Sequence, residues 1–100
     1  MEIIIKATNA KLAPEAHKII EEKIGGLEKF CDSIIKAEVE VGLTTFHHQK
    51  GNIYRAEVNL AVPKKVLRAV AETDDIAKSI NEVRDKLKSE LVRYKERIRE

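Results

Sequence analysis

The chain has 100 residues, 43% of them hydrophobic and 36% charged, which fits one domain with one modest core. That balance is too apolar for a disordered chain and too charged for a membrane protein. Net charge is +2 but unevenly spread, with eight Lys/Arg against nine Asp/Glu in residues 1–60 and eleven against eight in residues 61–100. Such asymmetry permits a polyanionic partner without requiring one.

No apolar run exceeds three residues, as in Ile3-Ile4-Ile5 between Glu2 and Lys6. That is too short for a secretion signal or a spanning helix, so a cytoplasmic protein with no membrane partner is expected. Cys31 is the only cysteine, which excludes an intrachain disulfide and a paired-cysteine zinc site and suits a reducing compartment. Nothing resembles a linker, a repeat or a low-complexity tract, and residues 1–100 read as a single domain.

In chain order, residues 2–7 are short and β-branched and predict a strand. From Pro14 to about Phe30 the period becomes helical: Pro14 suits a first turn, and Ala16, Ile20, Ile24, Leu27 and Cys31 form an apolar stripe. Gly25-Gly26 predicts close packing or a bend there. Ala37, Val39, Val41 and Leu43 alternate with Glu38 and Glu40, the pattern of a half-exposed strand. Residues 44–52 read as a mobile loop ending in Gly-Asn. A third strand alternates from Tyr54 to Val62, Pro63-Lys64-Lys65 turns the chain, and a fourth strand runs from Val66 to Glu72. Thr73 or Asp74 suits the cap of a last helix that continues to the end. The order β-α-β-β-β-α implies an α+β fold, a four-stranded antiparallel meander with both helices packed on one face.

The last helix carries most of the charge. At about 100° per residue, Ile76, Ile80, Val83, Leu87, Leu91, Tyr94 and Ile98 fall within an arc of roughly 80°, the stripe expected on the sheet. Glu82, Asp85 and Glu96 lie nearly opposite. Cations take both flanks: Lys86, Arg93 and Arg97 on one, Arg84, Lys88, Lys95 and Arg99 on the other. These flanks read either as solvated stems padding the core edge or as rows of phosphate contacts, since residues four and seven apart lie ~6 and ~10 Å apart along the axis. Lys23 falls inside the apolar arc of the first helix, either snorkelling to the rim or held out to meet an anion. Lys29 suits that helix's negative end.

The segments "EEKIGGLEKF" (21–30), "YRAEVNL" (54–60), "VLRAVAETDDI" (66–76) and "RDKLKSEL" (84–91) resemble the ribosome hibernation promoting factors. These are also called ribosome-associated inhibitors or sigma-54 modulation proteins. The resemblance runs in register over nearly the whole chain, residues 44–52 being the most variable part. It implies a fold like double-stranded-RNA-binding domains. It also implies attachment to the small ribosomal subunit near the decoding centre, blocking messenger RNA and tRNA. Many members carry a further C-terminal module, so a chain ending at Glu100 looks like a short form. On the family pattern the rRNA-binding positions are Lys23 and Lys29, then Lys86, Arg93 and Lys95, with Arg68 at a variable position. Arg97 joins them from its place on the flank, and Asp75 matches the acidic start of the last helix. The sequence departs from the pattern at Ala13, His17, Ala77, Asn81 and Ser89, where the family usually has Thr, Arg, Tyr, Asp and Arg.

Other function classes fit less well. A general binder of structured RNA shares the basic flanks, whereas a protein–protein regulator needs an apolar patch that the polar outer strand faces do not provide. An enzyme is not expected, because G-x-S-x-G, Walker and HExxH spacings are absent. His47-His48 could ligate a metal with His17, but adjacent loop histidines without a nearby carboxylate or thiol partner read rather as simply polar or as contacts to RNA, and Cys31 reads as a core filler. No cofactor, metal or small-molecule substrate is implied. With no coiled-coil extension or large apolar patch, the chain is expected to be monomeric away from the ribosome.

Overall fold

In a computed structural model, residues 1–44 and 51–98 are described. The expectation of a mobile loop, and the two adjacent histidines, therefore fall largely outside the described residues, as does Arg99. The elements are β1 (Glu2–Thr8), α1 (Pro14–Gly25), a 3-10 turn (Gly26–Lys29), β2 (Lys36–Thr44), β3 (Ile53–Val62), β4 (Lys65–Thr73) and α2 (Ile76–Ile98). The four strands form one sheet in the order β1-β2-β3-β4.

The sheet departs from the expected meander in one respect. β2, β3 and β4 are antiparallel neighbours, but β1 lies parallel to β2, with Glu2 opposite Lys36 and Thr8 opposite Gly42. A strand that reaches its neighbour through a crossover helix re-enters in the same direction, so the interposed α1 makes this pair parallel. Gly42 suits that pairing, since a Cβ there would lie 2.8 Å from the Thr8 carbonyl oxygen.

Alternation then decides the core. Ala37, Val39 and Val41, with Ala56, Val58, Leu60 and Val62, and Leu67, Ala69 and Ala71, are buried on one sheet face. Against them pack Ile20, Ile24 and Leu27 from the first helical segment and Ile80, Val83, Leu87 and Leu91 from α2, all fully buried. Cys31 is buried among them, its sulfur 3.1 Å from the Ser33 hydroxyl, as a core filler would be.

The helix ends differ from the expectations in ways that have local causes. α1 stops at Gly25 and tightens into a 3-10 turn at the Gly-Gly pair, where a Cβ on Gly25 would meet Ile3 at 3.6 Å. Its N-cap is Ala13, with no side-chain bond to the first turn. At the start of α2, the Thr73 hydroxyl takes the Asp75 N–H at 3.1 Å, and Asp74 pairs instead with Lys78 at 3.2 Å. Ser79, which the periodicity gave no role, is buried and donates to the Tyr54 carbonyl at 2.8 Å while its oxygen lies 2.7 Å from that of Thr73. The other end is tied by the Tyr94 hydroxyl, which donates to the Pro63 carbonyl at 3.0 Å. Ile98, expected on the sheet, is 62% exposed. Tyr94 already reaches the β3–β4 hairpin, so the last turn has no strand beneath it.

The two helices run in the same direction. The start of α1 (Ala13, Ala16, Ile19) shares a cleft with the start of α2 (Ile76, Ala77), and the 3-10 turn meets Arg84 farther along.

Candidate nucleic-acid interface

The parallel helices bring the C-terminal end of the first beside the cation-rich half of the second. A groove between them is lined by Glu22, Lys23, Gly26, Lys29, Phe30 and Arg84. Lys23 is half-buried at its rim and Lys29 is exposed, so the lysine inside the apolar arc reaches the groove and does not enter the core. Lys88 joins from α2, its ammonium 4.9 Å from the centre of the Phe30 ring, an attractive cation–π placement. Among the described residues, Lys23, Lys29 and Lys88 form no ion pair. Arg84 lies 2.9 Å from Asp85, yet its buried Nε makes no hydrogen bond because the carboxylate is out of line with the N–H. The Asn81 amide oxygen, three residues earlier, is likewise buried without a donor among the described residues.

A second groove runs between the edge strand β4 and the other shoulder of α2, lined by Arg68, Ala69, Val70, Lys86, Ser89, Glu90 and Arg93. Its cations are more engaged. Lys86 donates to the Val70 carbonyl at 2.7 Å, and Arg93 faces Glu90 at 3.5 Å. Arg68 donates from Nε to Glu57 at 3.0 Å, and Arg55 holds the same carboxylate at 2.9 Å. The hydrogen bond from Arg68 holds the Glu57 carboxyl below its ordinary value, helped by Arg55 against the cost of burial, and Glu57 in turn raises Arg68.

The fold thus gathers Lys23 and Lys29 in one groove and Arg68, Lys86 and Arg93 in another. Lys95 and Arg97 continue the two shoulders toward the end of α2, Lys95 half-buried and Arg97 exposed. Arg84 and Lys88 belong to the first groove although the family-derived positions omit them. Their shared flank with Lys95 is the sequence signal that marks them. The crest of α2 between its shoulders carries Glu82, Asp85 and Glu96, so the cations face sideways into the grooves. Among the described residues no group of three or more His, Cys, Asp or Glu is placed to hold a metal, and no helix is long and apolar enough to cross a membrane.

Residues 3–99 match the family model described as sigma 54 modulation protein / S30EA ribosomal protein. The chain belongs to that family. It is 30% identical over 94 residues to the ribosome hibernation promotion factor of Staphylococcus aureus (strain COL), and 24% identical over 98 residues to that of Bacillus subtilis (strain 168). These alignments cover 94% and 98% of this chain but 48% and 50% of the relatives, so the chain spans about half their length. The fold is shared with a ribosomal subunit interface protein from Coxiella burnetii, with TM-score 0.83 and 21% identity over 95% of this chain and 98% of that one. It is also shared with the N-terminal domain of Thermus thermophilus Protein Y, with TM-score 0.81 and 23% identity over 94% and 99%.

Among sigma 54 modulation / S30EA proteins, the departures of this sequence acquire places. Ser89 stands in the β4-side groove, its hydroxyl turned back onto the Asp85 carbonyl at 3.3 Å. Ala77 lines the cleft between the two helix starts with Ala13, Ala16, Ile19 and Tyr54. Asn81 is the residue whose buried oxygen has no partner among the described residues. His17 is exposed on α1.

Proposed function

We propose that this chain is a non-catalytic ribosome-binding domain that presses the shoulders of α2 onto rRNA phosphates of the small subunit near the decoding centre. Occupying that site blocks messenger RNA and tRNA and holds the ribosome inactive. Family membership supports the ribosome as partner. The observation that supports the contact is the convergence of Lys23, Lys29 and Lys88, without carboxylate partners among the described residues, on one groove from the two helices and the 3-10 turn, with Arg84 beside them. Cations that lack carboxylate partners release counterions when they meet phosphates, which is the main source of affinity for a nucleic-acid backbone. Recognition is by shape, because an A-form major groove is too narrow for side chains to read. Lys86, Arg93, Lys95, Arg97 and Arg68 extend the contact along the shoulders and the edge strand.

The test is co-sedimentation with purified small subunits across a salt series. Pelleting should fall steeply with salt, and charge reversal of Lys86, Arg93 and Arg97 together to Glu should abolish it at moderate salt. Retention of that variant on subunits would remove the β4-side shoulder from the interface. Displacement of the parent protein by an equal mass of unrelated duplex RNA would replace the ribosome-specific reading with general binding of structured RNA.

A further inference from the structure

The sheet has two edges, and the fold treats them differently. At the β4 edge the Lys86 ammonium occupies the Val70 carbonyl, and the Tyr94 hydroxyl occupies the Pro63 carbonyl at the hairpin. Side-chain donors placed on edge carbonyls are one way a sheet end is kept from pairing with another strand. β1, seven residues without proline, forms the opposite edge, and among the described residues no strand pairs its far side. Its backbone phase is fixed by the Glu2 N–H, which donates to the Ile35 carbonyl on the β2 side. In a parallel ladder alternate residues bond to one neighbour, so Glu2, Ile4 and Lys6 face β2. Ile3, Ile5 and Ala7 therefore present their N–H and C=O groups to the open edge. Ile3 and Ile5 are only partly buried, and Ile4 is 44% exposed.

We infer that β1 is a self-pairing edge: two copies of the chain join their β1 strands antiparallel, centred on Ile4, into a continuous eight-stranded sheet. The alignment is selected by the residues themselves. With Ile4 opposite Ile4 of the second copy, Ile3 falls opposite Ile5, and both carry the outward backbone groups that an antiparallel hydrogen-bonded pair exchanges. On the open face Glu2 falls opposite Lys6 at both ends of the pairing. This charge complementarity is absent when the alignment shifts to centre on Ile5, which sets Glu2 against Thr8 and Lys6 against Ile4. The sequence "EIIIK" is thus complementary to itself when reversed. Among the described residues Lys6 is held only loosely, by a 4.0 Å contact with Glu40, and its side chain is 76% exposed. Symmetric edge pairing places the twofold axis perpendicular to the sheet, so all four helices lie on one side. The surface that suggests a monomer on sequence grounds, without coiled coil or apolar patch, does not bear on a strand edge, where backbone groups supply the contact.

The experiment uses the intact chain and needs no ribosome, so its outcome is independent of the proposed rRNA contact. Sedimentation equilibrium from about 10 μM to 1 mM should show the average mass rising from one chain toward two, as for an interface at the small end of the range. Glu2→Lys alone and Lys6→Glu alone should each remain monomeric while melting like the parent, because each sets like charges opposite. Mixed together they restore both opposite-charge pairs and should form a heterodimer. Separately, Ile4→Cys should link to a second copy under mild oxidation, since non-hydrogen-bonded antiparallel partners lie at disulfide distance, whereas Lys6→Cys should not. Cys31 is buried and does not compete. A parent protein that stays monomeric at 1 mM, together with Ile4→Cys that links no faster than Lys6→Cys, overturns the proposal. Dimers indifferent to the charge exchange overturn the Ile4-centred alignment.

Discussion

The open face of the sheet and the shoulders of α2 are both rich in charge, yet they pair it to different degrees. On the sheet, Lys36 meets Glu38 at 3.5 Å, Lys6 approaches Glu40 at 4.0 Å, and Arg55 and Arg68 share Glu57 at 2.9 and 3.0 Å. Strand register is the cause: residues across a pair and on neighbouring rows of one face lie within reach of long side chains, so mixed charges find one another. On α2 the shoulders are only partly engaged, Arg84 with Asp85 at 2.9 Å and Arg93 with Glu90 at 3.5 Å, while Glu82, Asp85 and Glu96 lie on the crest. Lys88 and Arg97 form no ion pair among the described residues, nor do Lys23 and Lys29 across the groove. The lesson is that pairing, more than the number of cations, marks a surface able to take a polyanion.

The sharpest way to break this contrast is to truncate equal numbers of cations on each side. Lys23, Lys29 and Lys88 changed together to Ala should weaken small-subunit binding about a hundredfold, three contacts at roughly 1 kcal/mol apiece. Lys6, Lys36 and Arg55 changed to Ala should shift it by less than about threefold. Filter or pelleting titrations at one fixed salt concentration measure both. Equal losses from the two triples would show that only overall charge matters.

The β4-side shoulder should lie between these extremes. Lys86, Arg93 and Arg97 changed to Ala should weaken binding about tenfold, because Lys86 and Arg93 already have partners in the free protein. The same change should cost stability of about 1 kcal/mol, since the Val70 carbonyl loses its donor. Denaturant unfolding of Lys86→Ala alone isolates that cost. Ser89→Arg sharpens the contrast in the other direction: it adds a cation to this groove at an exposed position. Affinity should rise severalfold, and the dependence of log K on log salt should steepen by about one.

How much of this was legible in the sequence depends on what periodicity encodes. Alternation in Ala37–Leu43 and Tyr54–Val62 gave the buried face of β2 and β3, because side-chain direction along a strand follows from spacing alone. It carries no strand direction, so the parallel β1–β2 pair was missed and the crossover through α1 had to supply it. Similarly, the 3.6-residue period put Leu87 and Leu91 in the core but also placed Ile98 there. Only the position of the β3–β4 hairpin under Tyr94 shows where the sheet ends. The shoulders of α2 were readable as two rows of cations. That Arg84 and Lys88 meet Lys23 and Lys29 was not, since it depends on the two helices running in the same direction. Nor was the engagement of Arg68, which follows from Glu57 lying on the adjacent strand.

That engagement sets the smallest expected effect and a direct check on the paired face. Glu57 is held below its ordinary value chiefly by the Arg68 hydrogen bond, so folding favours its ionised form. The stability this contributes is complete above the unfolded carboxyl's pKa of about 4.3 and is lost as pH falls through the lower folded value. In Arg68→Ala the principal cause of the depression is gone and Arg55 alone remains. Neutral-pH stability should therefore be slightly lower, and its decline below about pH 4.3 shallower than in the parent. Paired denaturant titrations at pH 7 and pH 3 would measure this difference in slope. An unchanged slope would mean that Arg68 does not hold Glu57 in solution, leaving its guanidinium available to the β4-side groove and erasing the distinction drawn between the sheet face and the helix shoulders.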